Sequence, residues 1–214
     1  MDRGRTMGSY LMHIGITEKV RRKLKLSTKF IYGSILPDLV KMETGDREGT
    51  HFLKTIEDKD GVKRLPVIDD AIAMLSSDID KEVRLGYIAH LIEDLLWFEK
   101  YIPSFATKLE EGKKQYLADN SVHSAEEFSK DIYEDYSKIN SYMVKRCELD
   151  YEKIKEQLKE IMTDKEYEFL EKNDIMRDVN EIDTTKVIPK DKLNEYIEEA
   201  EEKVEVVIKE LLGE

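Results

Sequence analysis

Leu85-Gly86-Tyr87-Ile88-Ala89-His90-Leu91-Ile92-Glu93-Asp94-Leu95-Leu96-Trp97 is the stretch from which the fold of this chain is read. His90 and Asp94 stand four residues apart, a spacing that stacks both side chains on one face of an α-helix. Apolar residues, including Leu91 and Leu95, surround that face, so the helix is expected to be largely buried. An ionised carboxylate is costly to bury unless it is paired or holds a cation. Something positive is therefore expected beside Asp94.

The pattern outward from this helix is almost wholly helical. Asp80 caps its start, and it should run to about Tyr101 before Pro103 stops it. A helix from about Ser9 to Leu24 carries Leu11, Met12, Ile16 and Val20, with basic residues at its end where they suit the dipole. Thr28 to Leu36 reads as a short helix interrupted at Pro37. Between Lys41 and Pro66 the periodicity fails: Gly45, Gly49 and Asp60-Gly61 mark turns in a charged surface excursion that holds His51. Pro66 suits the first turn of a helix reaching about Met74. Ser124 and Glu127 have capping-box spacing before a helix over about Ala125 to Cys147. Shorter helices are expected near Tyr151 to Ile161 and Lys165 to Glu171.

The final helix follows Pro189 and aligns Leu193, Tyr196, Ile197, Ala200, Val204, Val207, Ile208 and Leu211 on one face. That face needs a partner, either this same domain or a second copy in a homodimer. Strand alternation is scarce and no internal repeat is evident. The expectation is an all-α, multi-helix bundle: residues 1–150 as the core, with residues 151–214 as a helical extension packed on it.

Length and composition limit the function. A chain of 214 residues suits one large domain, and 40% hydrophobic residues suffice for its core. The net charge of −12 disfavours broad contact with a nucleic-acid duplex or anionic lipid, which require a basic face. A small phosphorylated substrate remains compatible if metal ions supply local positive charge. Cys147 is the single cysteine, so neither an intramolecular disulfide nor a thiolate cluster is available. No run approaches the roughly 18 apolar residues of a membrane span, and the N-terminal stretch lacks a signal-peptide core. A cytoplasmic location is expected.

Three of the four histidines sit beside unusual features. His13 lies among Leu11, Met12, Ile14 and Ile16; alone it reads as a hydrogen-bonded core residue. Asp38 follows the apolar Gly33-Ser34-Ile35-Leu36-Pro37, where an acid is out of place, although it could cap a turn. His51 sits in the polar loop, where solvent exposure is the ordinary reading. Combined with His90 and Asp94, these make a set of imidazoles and carboxylates suited to zinc or a similar divalent ion. Helices can project such side chains to a common point inside a bundle.

Tyr10-Leu11-Met12-His13, Gly33-Ser34-Ile35-Leu36-Pro37-Asp38, Thr50-His51-Phe52 and Gly86-Tyr87-Ile88-Ala89-His90-Leu91-Ile92-Glu93-Asp94 together resemble the zinc-dependent phospholipase C family, related in fold to P1-type nucleases. The resemblance covers roughly residues 9–140 and implies an all-helical fold and phosphoester hydrolysis at a metal cluster, usually zinc. It implies that Asp38, His51, His90 and Asp94 bind one metal, with Asp94 bridging to a second held partly by His13. Further His/Glu ligands of the family have no matching histidines here. Asp131 and Asp135, four apart, could stand in as oxygen ligands, their ordinary reading being solvated helix surface; His123 is a lesser candidate. The family's N-terminal tryptophan has no counterpart near Met1, so one or two metals are expected rather than three.

The leading expectation is a metal-dependent phosphoester hydrolase in which Asp38 orients or deprotonates the attacking water. Lys41 and Arg47 flank the loop and could meet a substrate phosphate. Trp97 and Tyr101 read as core rather than as a substrate platform. An HD-type phosphohydrolase needs an adjacent His-Asp pair, whereas Ile14, Phe52, Leu91 and Ser124 follow the histidines. A di-iron bundle needs two Glu-x-x-His motifs, and only Glu48 to His51 fits. The non-catalytic alternative is a helical scaffold or interaction protein that retains a structural metal site.

Overall fold

A computed structural model describes residues 10–58, 61–173 and 176–213. The described residues form ten α-helices and two small antiparallel sheets. Helix α1 spans Tyr10–Leu24 and buries most of its length, His13 included. Helix α2 spans Thr28–Thr44, started by the Ser27 side chain, which accepts from the Lys29 N–H, and ended by Gly45 in the left-handed region. The expected interruption at Pro37 does not occur. Proline costs the helix only the N–H that would reach the Gly33 carbonyl, and burial of Phe30, Ile31, Ile35 and Leu39 holds both halves in line. Asp38 is thereby carried into the interior on a continuous helix.

Helix α3 is a single turn, Arg47–Thr50, capped by the Asp46 side chain and followed by His51. The surface excursion then forms a β-hairpin rather than irregular chain: β1 (Leu53–Asp58) pairs with β2 (Gly61–Pro66). Pro66 ends β2 opposite Leu53 instead of opening a helix, and α4 begins at Ile68 and ends at Met74. These strands mix charges with single apolar residues, so no clear two-residue period announces them.

Helix α5 spans Lys81–Leu96 behind its Asp80 cap. Its last turn widens into a π-helical segment at Trp97–Tyr101, and α6 (Ile102–Phe105) accepts Pro103 in its first turn. A second sheet, β3 (Ala106–Lys108), β4 (Lys114–Tyr116) and β5 (Val122–His123), leads to α7 (Ala125–Arg146), where the reciprocal Ser124–Glu127 capping box forms. Helices α8 (Tyr151–Lys159), α9 (Asp164–Asn173) and α10 (Lys190–Leu212) follow.

Helix α10 lies against α1 and α5. Leu193, Tyr196, Ile197, Ala200, Val204 and Ile208 are buried there and Val207 and Leu211 partly so, so this chain itself covers most of that apolar face. Trp97, Tyr101 and Tyr196 join one continuous core that draws residues from α1, α2, α5, α7 and α10. Trp97 donates from Nε1 to the Tyr136 hydroxyl at 2.9 Å. Cys147 is buried, and burial raises its thiol to about 11, which keeps it inert. No helix among the described residues is long and apolar enough to cross a membrane.

Helices α2 and α5 meet in close backbone contact. A Cβ built on Gly86 would lie 2.0 Å from the Phe30 carbonyl oxygen, and one built on Gly33 would lie 2.1 Å from the Val83 carbonyl oxygen. Only glycine at both positions lets the two backbones touch. This contact sets Ser34 and Asp38 of α2 beside His90 and Asp94 of α5.

Candidate metal centre

His13, Asp38, His51, His90 and Asp94 come from α1, α2, the turn after α3, and α5, and all five are buried. Each histidine is anchored through Nδ1. His13 donates to Glu93 Oε2 at 2.8 Å, His90 to the Ser34 carbonyl at 2.7 Å, and His51 pairs with Thr50 Oγ1 at 2.9 Å. Thr50 Oγ1 already donates to the Asp46 carbonyl at 2.7 Å, so toward His51 it accepts. The Tyr87 hydroxyl donates to the Thr50 carbonyl, tying the His51 turn to α5. All three imidazoles therefore carry their proton on Nδ1, as assigned from this network, and in neutral form present a bare Nε2.

The free ends converge. His90 Nε2 lies 3.3 Å from His51 Nε2, and His51 Nε2 lies 3.4 Å from Asp38 Oδ1. Asp94 divides its oxygens: Oδ2 is 3.8 Å from His51 Nε2 and 3.9 Å from His90 Nε2, while Oδ1 is 3.7 Å from His13 Nε2. The His13 and His90 rings stack with centroids 4.0 Å apart. Two overlapping groups result, Asp38–His51–His90 and His13–His90–Asp94, sharing His90. Zinc bonds of about 2.0–2.2 Å at tetrahedral angles place neighbouring ligand atoms about 3.3–3.6 Å apart. In the first group the His90–His51 and His51–Asp38 pairs have that spacing. Two neutral imidazole lone pairs facing each other at 3.3 Å repel unless a cation or proton lies between them. The donor set thus fits a divalent transition metal.

Electrostatics favour the ligand form at His90 and Asp38 and oppose it at His13. Burial and the neighbouring His13 push the His90 imidazole well below its ordinary value, keeping it neutral. Burial would raise the Asp38 carboxyl, but the imidazoles of His51 and His90 and the ammonium of Lys41 beside it outweigh burial and hold it well below the usual range. Burial would depress His13, yet the Glu93 carboxylate prevails and raises it to about 9. Burial pushes Glu93 up to about 7 against the pull of His13.

Asp131 and Asp135 are not brought to this cluster. Asp131 accepts from the Tyr116 hydroxyl at 2.8 Å and from Lys186 Nζ at 2.9 Å. Asp135 accepts the backbone N–H groups of Lys186, Val187 and Ile188 at 2.9, 2.7 and 3.1 Å. These two acids fasten the segment before α10 to α7, and their oxygens are taken up by that task. His123 stacks on Tyr116 at 4.1 Å and is likewise engaged elsewhere.

Sequence reading missed the anchoring residues. Glu93 was detectable as a second acid three residues after His90 in an apolar run; Ser34 and Thr50 carry no such signal, because one acts through its carbonyl and the other through an ordinary hydroxyl. Comparison with protein-family models, curated proteins and solved structures finds no match. Function is therefore read from the side chains themselves.

Proposed function

We propose that this chain is a metal-dependent phosphoester hydrolase with a mono- or dinuclear His/Asp centre, of the kind its four sequence segments resemble. The observation that carries the reading is the anchoring of three histidines at Nδ1 with their Nε2 atoms converging between two buried aspartates. Such outer hydrogen bonds fix tautomer and ring direction in metal sites. Structural zinc sites usually have four closed ligands. Here His13, Asp38 and Asp94 line a cavity of about 190 Å³, through which a substrate would reach the centre.

His51, His90 and Asp38 would hold one ion, and Asp94 would reach from it toward a second position beside His13. When bound, a divalent ion offsets charge on phosphate oxygens and lowers the pKa of water. In the hydrolysis the water oxygen bonds to phosphorus, the P–O ester bond breaks, and the proton shed by water leaves with the alcohol. Asp38, with its carboxyl held so low, is a poor proton acceptor; its part is to bind and orient. Glu93 keeps the His13 ring turned inward.

The test is elemental analysis of gently purified protein, followed by turnover of phosphomonoesters and phosphodiesters, with His90→Ala as control. Stoichiometric zinc, manganese, iron or nickel, lost together with activity in His90→Ala, is expected. Absence of metal rejects the centre. Metal without turnover leaves the non-catalytic scaffold with a structural ion.

A further inference from the structure

The cavity beside the cluster has walls of two kinds. One is charged: Asp38, Asp94, Lys41 and Arg47. The other is apolar, formed by Trp97, Phe98 and Ile102 at the end of α5 and beyond, with Phe128, Ile132 and Tyr136 from one stripe of α7. The two cations differ. Lys41 Nζ donates to Asp38 Oδ1 at 3.1 Å and is committed there. Arg47 stands with its guanidinium over the Phe98 ring, 5.1 Å from the centroid, and its nearest carboxylate oxygen, Asp94 Oδ2, is 3.9 Å away, beyond hydrogen-bond reach. Its side chain is 42% exposed overall, but its Nε is buried and has no hydrogen-bond partner. A buried N–H left unpaired is costly, and the planar fork of arginine matches two oxygens of a phosphoryl group.

We infer that Arg47 is a substrate-binding residue that grips phosphoryl oxygens at this site, and that the apolar wall takes one neutral, ring-sized group, so that the substrate is a phosphate monoester of an aryl or compact alicyclic alcohol. This rests on the hydrolase reading above. A closed apolar cavity of about 150 Å³ holds a benzene ring. This cavity, open to solvent and about 190 Å³ with its charged wall included, covers about one ring beside the phosphoryl group, while a nucleoside or a pair of acyl chains would extend into solvent. None of the six apolar-wall residues is ionised at neutral pH, and Arg47 over Phe98 discourages a cationic headgroup. A single such wall argues for one ester arm.

Zinc content is measured first, and zinc-loaded protein is then titrated calorimetrically with phenylphosphonate, methylphosphonate, diphenyl phosphate and inorganic phosphate. Phenylphosphonate is expected to bind about 10–100-fold tighter than methylphosphonate, from burial of the ring. Arg47→Gln should weaken phosphate and both phosphonates about 10–100-fold while leaving zinc content unchanged. Ile102→Trp, which fills the apolar end, should abolish the preference for phenylphosphonate and spare inorganic phosphate. Equal affinity for the two phosphonates overturns the ring assignment, and tighter binding of diphenyl phosphate overturns the monoester. Unchanged binding by Arg47→Gln overturns the clamp. A chain that takes up no zinc fails at the metal centre instead, a separate result that removes the ground for this inference.

Discussion

Gly86→Ala tests the link between helix packing and the candidate centre. The added methyl would lie 2.0 Å from the Phe30 carbonyl oxygen and 2.9 Å from both Gly33 Cα and Ser34 N, all backbone atoms that cannot swing aside. Restoring an ordinary 3.4 Å contact from 2.0 Å requires α2 and α5 to part by about 1.4 Å. The His90 Nδ1–Ser34 carbonyl bond, now 2.7 Å, would stretch to roughly 4 Å and break. Overpacking costs about 1–3 kcal/mol, and the stranded imidazole N–H and carbonyl cost about 1–3 kcal/mol more. Alanine returns about 1 kcal/mol of helix propensity. A net loss near 3 kcal/mol is expected in urea unfolding, with zinc affinity down about 10–100-fold as its outer anchor fails. Gly15→Ala is the control. Its Cβ meets the movable ends of Cys147 and Met143 at 3.0 and 3.1 Å, so a change within about 1 kcal/mol is expected. If Gly86→Ala matched the parent in both stability and zinc affinity, the argument that the glycine contact builds the site would be refuted.

Three further outcomes follow from the same geometry. Zinc at about 100 times its dissociation constant should stabilise the protein by about 2.7 kcal/mol, raising Tm by about 5–10 °C for a chain of this size; a similar shift in His90→Ala would remove that residue from the ligand set. His13 in the metal-free protein is protonated below about 9, and its Nε2 must shed that proton to bind metal. Zinc affinity measured by chelator competition should therefore climb from pH 6.5 to 8.5, and a flat or falling profile would contradict the anchoring by Glu93. Asp135→Ala should cost about 2–4 kcal/mol, because three backbone N–H groups lose their acceptor. Zinc stoichiometry in that variant should not change; a lost ion would return Asp135 to the centre.

Local pattern carried most of the helical architecture. The caps at Asp80 and Ser124, the apolar face of the last helix and the His90–Asp94 spacing are all short-range features, set by the helix period and by hydrogen bonds to neighbouring backbone. They made the mostly helical fold legible, and with it the candidate ligands on α1, α2 and α5. Three things were not legible. Pro37 lies inside a helix because tertiary burial outweighs a single missing hydrogen bond. The hairpin around residues 53–66 forms from strands too charged to show alternation. Asp131 and Asp135 have ligand spacing but face the segment before α10, a partner more than 50 residues away.

The amino-acid order by itself determined which residues could serve as metal ligands and that several would be buried on helices, since chemistry and period belong to each segment alone. Only the tertiary structure decided which of them meet. The glycine contact between α2 and α5, the hydroxyl of Tyr87 holding the His51 turn, and Glu93 turning His13 inward are all relations between distant segments. Distance between side chains depends on how helices cross, and helix crossing depends on backbone contacts that no local window contains.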